Sequence, residues 1–393
     1  MEDIYIVGSA RTAIGDFGGT LKDFMPSDLG GIVASEAIKR AGVSPDDIEH
    51  IVIGQVMQTS ARDEMLSRVI GLNAGVPFHV PALTLNRLCG SGVQAIVSAA
   101  QMMKLGEASI TLAGGAESMT NVPYHDHGVR WGRKMGNNVQ EDALTLGLCD
   151  AIGGYHMGIT AENVAERHQV TREDMDALSL TSHQRAARAQ AEGRFKDQIV
   201  PVEVKTRKGT VVFDTDEHVK ADTSMDVLAK MKPAFKKDGK VTAANASGIN
   251  DGAAAVVLAT GSEVNKRGLN PLAKIIAWGH AGVEPEYMGE GPIKAVPIAL
   301  ERAGLTLDQM DVIESNEAFA AQAAAVAKVL GFDAEKVNPN GSGVGLGHPV
   351  GATGTILTIK CIYELKRTGG RYGLITMCIG GGQGIAMVVE NVA

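Results

Sequence analysis

The sequence predicts an α/β protein of two similar halves, each a sheet with helices on both faces, sharing a central layer of buried helices. Three observations carry this. Residues 37–48 (AIKRAGVSPDDI) return as residues 299–310 (ALERAGLTLDQM), which sets Arg40 on Arg302 at an offset of 262 residues. Carried forward without a gap, the same offset sets Ser91-Gly92 on Thr353-Gly354, and each pair opens a stretch apolar on nearly every face, 93–105 and 355–366. Helices of that kind belong in a protein's interior. Short strand-like runs then recur in the same order in both halves, which makes the repeat structural.

In the first half the strands are expected over 4–7, 51–55, 109–113 and 253–259, and in the second over 274–278, 312–315, 373–379 and 385–390. Past the buried helices the residue match shifts to an offset of 266, which aligns Leu112-Ala113-Gly114-Gly115 with Cys378-Ile379-Gly380-Gly381. The last first-half strand arrives only after a long detour. The predicted organisation is therefore 1–115 plus 251–270 as an N-terminal half, 116–250 as an inserted loop domain, and 271–393 as a C-terminal half. Within the insertion, helical patterns run over 160–167 and 171–192. Its 204–240 stretch holds nine Lys or Arg against six acids, a local +3 in a chain of net charge -8. Such a patch can meet the phosphates of a nucleotide carrier.

At 393 residues, 45 % hydrophobic and 21 % charged, the chain fits a soluble protein of two domains. Its 48 glycines and 4 % aromatics point to close backbone packing. The acidic balance argues against sequence-independent nucleic-acid binding. No apolar stretch reaches the roughly 20 residues of a membrane span. An apolar run begins at Ile4, too early for a targeting segment, and Cys89, Cys149, Cys361 and Cys378 lie far apart. That pattern predicts a reducing, cytoplasmic setting with neither a disulfide frame nor a structural metal. His125-Asp126-His127 has no third ligand nearby in sequence, and no G-x-G-x-x-G or P-loop motif occurs.

The candidates for chemistry lie where the halves differ. Cys89 precedes the first buried helix, where the helix dipole and free N–H groups are expected to lower a thiol pKa from roughly 8.5 toward neutrality. The repeat sets Cys89 opposite Gly351, His348 opposite Asn86, and Cys378 opposite Leu112. Neither thiol has a twin, and His348 can approach Cys89 across the pseudo-twofold relation. Cys378 ends a strand that enters Gly380-Gly381-Gly382, a loop whose backbone can approach a substrate oxygen. Asn316-Glu317-Ala318-Phe319 follow a strand, at the end where α/β folds place ligands. Each motif alone reads equally well as packing, a turn or a helix start; their convergence in one frame favours a site. Two thiols converging on one substrate carbon also invite a Cys89–Cys378 disulfide under mild oxidation.

Together, Asn86-Arg87-Leu88-Cys89-Gly90-Ser91-Gly92, Tyr155-His156-Met157-Gly158, Asn245-Ala246-Ser247-Gly248-Ile249-Asn250-Asp251-Gly252, Asn316-Glu317-Ala318-Phe319, Gly347-His348-Pro349 and Cys378-Ile379-Gly380-Gly381-Gly382 resemble the thiolase family. The resemblance covers essentially the whole chain. It implies a five-layer αβαβα fold, a homotetramer, no resident cofactor, and coenzyme A and acyl-CoA thioesters as substrates. The implied reaction is the reversible Claisen condensation of two acetyl-CoA to acetoacetyl-CoA and CoA through an acyl-cysteine. By resemblance Cys89 is the nucleophile, His348 its base, and Cys378 the acid/base at the acetyl methyl. His348 with a water held by Asn316 forms one oxyanion hole, and the N–H groups of Cys89 and Gly380 form the other. Pantetheine is expected along Leu148, His156, Met157, Ala243, Ser247, Met288, Ala318 and Phe319.

One departure concerns Lys220, where many relatives place an arginine that stacks and pairs near the adenine and phosphates; an ammonium lacks that planar fork. Arg87 and Gln383 resemble those members that accept chains longer than acetoacetyl. The rival readings are a broader-chain 3-ketoacyl-CoA thiolase, a ketoacyl-synthase-type condensing enzyme with one cysteine, and a non-catalytic CoA-binding scaffold.

Overall fold

A computed structural model describes residues 2–392. Among the described residues ten strands form the main sheet, nine of them along its path: β1 (Ile4–Arg11), β2 (His50–Gly54), β3 (Ala82–Leu85), β4 (Ile110–Ser118), β5 (Asn250–Thr260), β6 (Ala273–Gly282), β7 (Val312–Ser315), β8 (Tyr372–Ile379) and β9 (Gln383–Asn391). Their order is β7-β8-β9-β6-β1-β5-β4-β2-β3, with the short strand Gly15–Asp16 pairing β5 off this path. Eight of the nine were expected from the sequence. The ninth, β3, is a half-exposed edge strand without a clear apolar alternation.

The two halves repeat in pairing as well as in order. In the first, β1 and β4 run antiparallel to β5, and β2 runs parallel to β4. In the second, β6 and β8 run antiparallel to β9, and β7 runs parallel to β8. Each half even carries a register shift in its first strand, between Ile6 and Gly8 and between Ile275 and Ala277. The half-sheets are not separate: Ile4, Tyr5 and Ile6 pair antiparallel with Ile275, Lys274 and Ala273, which joins them edge to edge.

The register corrects one alignment. Ile51 pairs with Leu112 and Ile313 with Leu374, so the offset of 262 persists through β4 and β8 and sets Cys378 opposite Ala116, not Leu112. The misleading feature was the glycine pairs. Gly114 and Gly115 lie inside β4, where a Cβ would come 2.2 Å from Ala254 O and 2.0 Å from Gly351 O. Gly381 and Gly382 instead take φ of +73° and +80° in the turn from β8 to β9. The glycines answer different steric demands.

Helix α1 (Pro26–Ala41) covers the outer face of the first half through Leu29, Val33, Ala37 and Ile38, and α2 (Leu66–Asn73) packs beside it. Helices α3 (Ser91–Lys104) and α8 (Val350–Thr368) form the central layer, with α8 touching strands of both halves. Helix α6 (Gly291–Ala303) covers the outer face of the second half through Ala295, Val296 and Ala299. Lys360, wholly buried in α8, reaches Glu314 on β7 at 2.7 Å, so the charge enters the core paired.

The insertion leaves β4 after Ser118 and returns at Asn250. It carries α4 (Met157–Arg167) and α5 (Arg172–Ala191), close to the predicted helices; the Thr171 hydroxyl caps α5 by accepting from Asp174 N. Helix α7 (Ala320–Leu330) packs against both. Among the described residues no helix is long and apolar enough to cross a membrane.

Candidate active site

Cys89 sits in a tight turn between β3 and α3. Asn86 Oδ1 accepts from Leu88 N at 2.8 Å, and Ser91 Oγ accepts from Arg87 N at 2.9 Å while donating to Leu88 O at 2.7 Å. These bonds hold Leu88 at φ +45°, a conformation that an L residue adopts only when its surroundings fix it. The backbone N–H groups of Gly380, from the other half, and of Cys89 itself lie close enough to the Cys89 sulfur to favour its thiolate.

The thiol is nevertheless not acidic. Burial pushes its pKa up to about 11, which reverses the expectation of a lowered one. Gly90 N and Ser91 N, committed to Arg87 O and Leu88 O within the turn, do nothing to offset that burial. The Glu117 carboxylate nearby, accepting from Val56, Met57 and Gly351 N–H groups, also works against a thiolate.

His348 follows Gly347, whose φ of +102° turns the chain against Asn250. Its backbone N donates to Asn250 Oδ1 at 2.9 Å. Its Nδ1 lies 2.7 Å from Thr353 Oγ1, and that hydroxyl donates to Pro349 O at 2.9 Å. The hydroxyl hydrogen is thus committed, so the imidazole proton belongs on Nδ1 and the lone pair on Nε2. Asn316 Nδ2, 3.3 Å from Nε2, donates to that lone pair. Burial lowers the His348 pKa to about 4, so the ring is neutral and basic at Nε2. Asn316 Oδ1 is buried with no hydrogen-bond partner among the described residues.

Cys378 is buried on β8 in the apolar cluster of Met288, Ala318, Phe319 and Val344. Burial first, and the neighbouring Cys89 second, push its pKa up. All four cysteines are free; Cys361 is buried in α8, and Cys149 lies half-buried in the insertion.

A cavity of about 530 Å³ opens onto this centre, lined by Cys89, His348, Leu148, His156, Met157, Ala243, Ser247, Met288, Ala318 and Phe319. Asn316, Cys378 and Gly380 stand behind that wall rather than in it. Lys220 does not line the cavity either: its Nζ sits 3.2 Å from Asp16 Oδ2. Arg87 Nη1 and Gln383 Oε1, from opposite halves, meet at 3.3 Å. His127 pairs with Glu141 at 3.1 Å, and among the described residues no three potential metal ligands converge.

Sequence reasoning missed Asp16, Phe17, His218, Phe235, Ile249 and Val350 in the lining. Phe235 carries the most. His156 caps α4 by accepting from Gly158 N at 3.0 Å, and its ring stacks on Phe235 at 4.7 Å. Phe235 also meets Phe319 edge-on at 6.1 Å. Its signal was present as one of two aromatics, with Phe213, in the lysine-rich 204–240 stretch of a chain poor in aromatics.

The family model described as thiolase, N-terminal domain, matches residues 4–262, and that described as thiolase, C-terminal domain, matches residues 269–391. The chain is 55 % identical over 391 residues to the beta-ketothiolase BktB of Cupriavidus necator, covering 99 % of each. It is 45 % identical over 394 residues to the mitochondrial 3-ketoacyl-CoA thiolase of Bos taurus, covering 100 % of this chain and 99 % of the other. Its fold superposes on the crystal structure of human mitochondrial 3-ketoacyl-CoA thiolase with TM-score 0.98 at 43 % identity, covering 100 % and 99 % of the two chains. The same enzyme in complex with CoA gives 0.97 at 43 % identity, covering 100 % of this chain and 98 % of that one. With both halves of the chain matched and the duplicated architecture shared, the protein belongs to the thiolase family of acyltransferases.

Proposed function

We infer that this thiolase condenses two acetyl-CoA to acetoacetyl-CoA and CoA, reversibly and through an acetylated Cys89. The observation that carries the reading is that Cys89 shares one cavity with a neutral His348 from the opposite half, with the Gly380 backbone N–H close to its sulfur.

Neither a thiolate nor an imidazolium is preformed, so the first step couples two events. The Cys89 sulfur attacks the acetyl carbonyl as its proton passes to His348 Nε2, and collapse expels the CoA sulfur, which takes a proton from Cys378 and leaves that residue a thiolate. Thr353 stabilises the imidazolium formed on the way by keeping Nδ1 hydrogen-bonded. The N–H groups of Cys89 and Gly380 face the developing oxyanion, each such donor being worth ~10²–10³ in rate. In the second step Cys378, as thiolate, takes a methyl proton from a second acetyl-CoA. The resulting carbanion attacks the acetyl-cysteine, and the Cys89 sulfur departs and recovers its proton from His348, which returns all three residues to their starting state. A thiolate of raised pKa suits a weakly acidic carbon. Asn316 and His348 Nε2 serve the thioester oxygen of that second substrate.

Along the cavity, His156 has its lone pair committed at Nδ1, leaving Nε2–H as the donor offered to pantetheine. Phe319, Met288 and Phe235 supply the apolar wall. A 3-ketoacyl-CoA thiolase of broader chain range is the second reading, favoured by the Arg87–Gln383 pair and by the relatives bearing that name. The exposed apolar side chains of the insertion, among them Tyr124, Val129, Trp131 and Met135, favour a homotetramer in which partner copies cover them. Four free thiols fit a reducing compartment such as the cytoplasm.

Intact mass after incubation with acetyl-CoA tests the reading. The wild type gains one acetyl group and Cys89→Ser gains none. Cys378→Ala is acetylated but yields no acetoacetyl-CoA. Full condensation by Cys378→Ala would favour a one-cysteine mechanism, and an unacetylated wild type would leave only the scaffold reading. Thiolysis of a series of 3-ketoacyl-CoA chain lengths separates the two thiolase readings.

A further inference from the structure

At the edge of the cavity the insertion is clasped to the start of the chain by carboxylates. Arg11 pairs with Asp216 at 2.7 and 3.0 Å, Ile14 N donates to Asp216 Oδ1 at 2.9 Å, and Asp16 N donates to Glu217 Oε2 at 2.9 Å. The clasp presses the Asp16 carboxylate onto the next two polar groups of the same tract. Its Oδ1 lies 2.5 Å from His218 Nδ1, and its Oδ2 lies 3.2 Å from Lys220 Nζ. Asn250 Nδ2 donates to Asp16 Oδ1 at 3.3 Å, while Asn250 Oδ1 accepts from His348 N. Asp16 and His218 line the cavity, and the Lys220 side chain, 53 % exposed, stands just beyond them.

This arrangement puts a fixed negative charge against Lys220, an exposed cation of the basic 204–240 tract that stands beside the cavity and is so placed to meet the phosphates of a nucleotide carrier entering it. The hydrogen bond from His218 first, with Lys220 adding to it, holds the Asp16 pKa at about 2 against burial, so the carboxylate is always charged near neutrality. An ion pair this exposed is weak and exchanges easily, yet its anion is not free to leave.

We propose that Asp16 is a built-in competitor for the phosphates of CoA, holding the Lys220 ammonium in the free enzyme and loosening the binding of every nucleotide-bearing substrate and product. This rests on the acyl-CoA reading above. A phosphate reaching Lys220 must displace the carboxylate or share the ammonium with it, and either reduces the gain. Looser binding of CoA shortens the life of the product complex, which is where many well-evolved enzymes lose time.

The test measures the half-saturating concentration for acetylation of Cys89, by quenched intact mass, with acetyl-CoA and with S-acetylpantetheine, which ends before the nucleotide. Asp16→Asn lowers the value for acetyl-CoA by about threefold, the scale of a partly exposed charge pair. The gain shrinks in high salt. It is absent with S-acetylpantetheine and absent in a Lys220→Gln background. An unchanged or raised value, a gain equal for both donors, or a gain undiminished in Lys220→Gln overturns the proposal. A wild type acetylated by neither donor overturns the acyl-CoA reading itself, and so the two failures are distinct.

Discussion

Gly92 and Gly354 face each other across the pseudo-twofold relation, at the start of the two central helices. A Cβ on Gly92 would lie 2.7 Å from Thr355 N, and one on Gly354 would lie 2.4 Å from Val93 N. Each glycine meets the residue that the repeat makes equivalent, so the contact is reciprocal and made of backbone, which cannot yield as a side chain can. Gly354→Ala is expected to destabilise the fold by about 1–3 kcal/mol or more, as overpacking does. It also parts the Cys89 turn from the His348 turn, lowering the acetylation rate of the folded fraction. Urea unfolding paired with acetylation kinetics checks both; a variant equal to the wild type in each would show that the helices have slack.

Thr353 fixes the His348 tautomer. Thr353→Val leaves Nδ1 without its acceptor, and the acetylation rate is expected to fall roughly 10–100-fold, as when other orienting partners of histidines are removed. Thr353→Ser restores the acceptor and most of the rate. A packing role alone would give the opposite order, since valine fills the volume better than serine.

Phe235 backs His156 and fills the space beside Gly158, where a Cβ would come 2.2 Å from its ring. Phe235→Ala loses a stacked ring worth about 0.5–1.5 kcal/mol beyond area, so KM for acetyl-CoA should rise by roughly threefold to tenfold. The maximal rate changes less, because the ring touches neither thiol. Steady-state condensation over a range of acetyl-CoA concentrations reads the split.

Acid separates stability from catalysis. His348, His183 and His280 are each lowered from 6.5 to about 4, by burial in every case. Between those values the unfolded chain binds protons that the folded chain does not, so stability falls as pH drops from 6.5 toward 4 and is fully present above 6.5. The folded enzyme keeps His348 neutral over that window. Hence kcat/KM for acetylation should be flat from neutrality down to near pH 5, ~10 His348 being neutral per charged there, while the urea midpoint declines. An acid limb centred at an ordinary histidine value would contradict the enclosed ring. On the alkaline side, alkylation of Cys89 by iodoacetamide should follow a thiolate titration centred at about 11.

The repeat was legible because two stretches of side chains had to satisfy the same buried geometry, as the match of Arg40 to Arg302 shows. Cys89, His348, Asn316 and Cys378 were legible as exceptions within it. The edge strand β3 was not, since none of its four residues is buried and they impose no pattern. Nor was the thiol pKa: a helix-dipole argument counts free N–H groups, and only the folded chain reveals how deeply the sulfur is enclosed and that Gly90 and Ser91 spend their N–H groups on Arg87 and Leu88. Lys220 was assigned to the ligand from its place in the chain, whereas its neighbour Asp16 comes from a segment some two hundred residues distant. Charge partners of that kind obey no local period.

The seam between Ile4–Ile6 and Ala273–Ile275 has a consequence for how the molecule is made. Apart from a bridge between Arg11 and Ile199, strand β1 pairs among the described residues with β5 and β6, both of which are synthesised after the whole insertion. Strand β1 therefore waits, largely unpaired and apolar, until the insertion has been made, and closing so long a loop delays its reward. Gly380 reaches the Cys89 sulfur only after the second half has docked. Reactivity at Cys89 is thus a clock for the last event of folding, and an acyl-CoA probe added to a refolding chain would time that event.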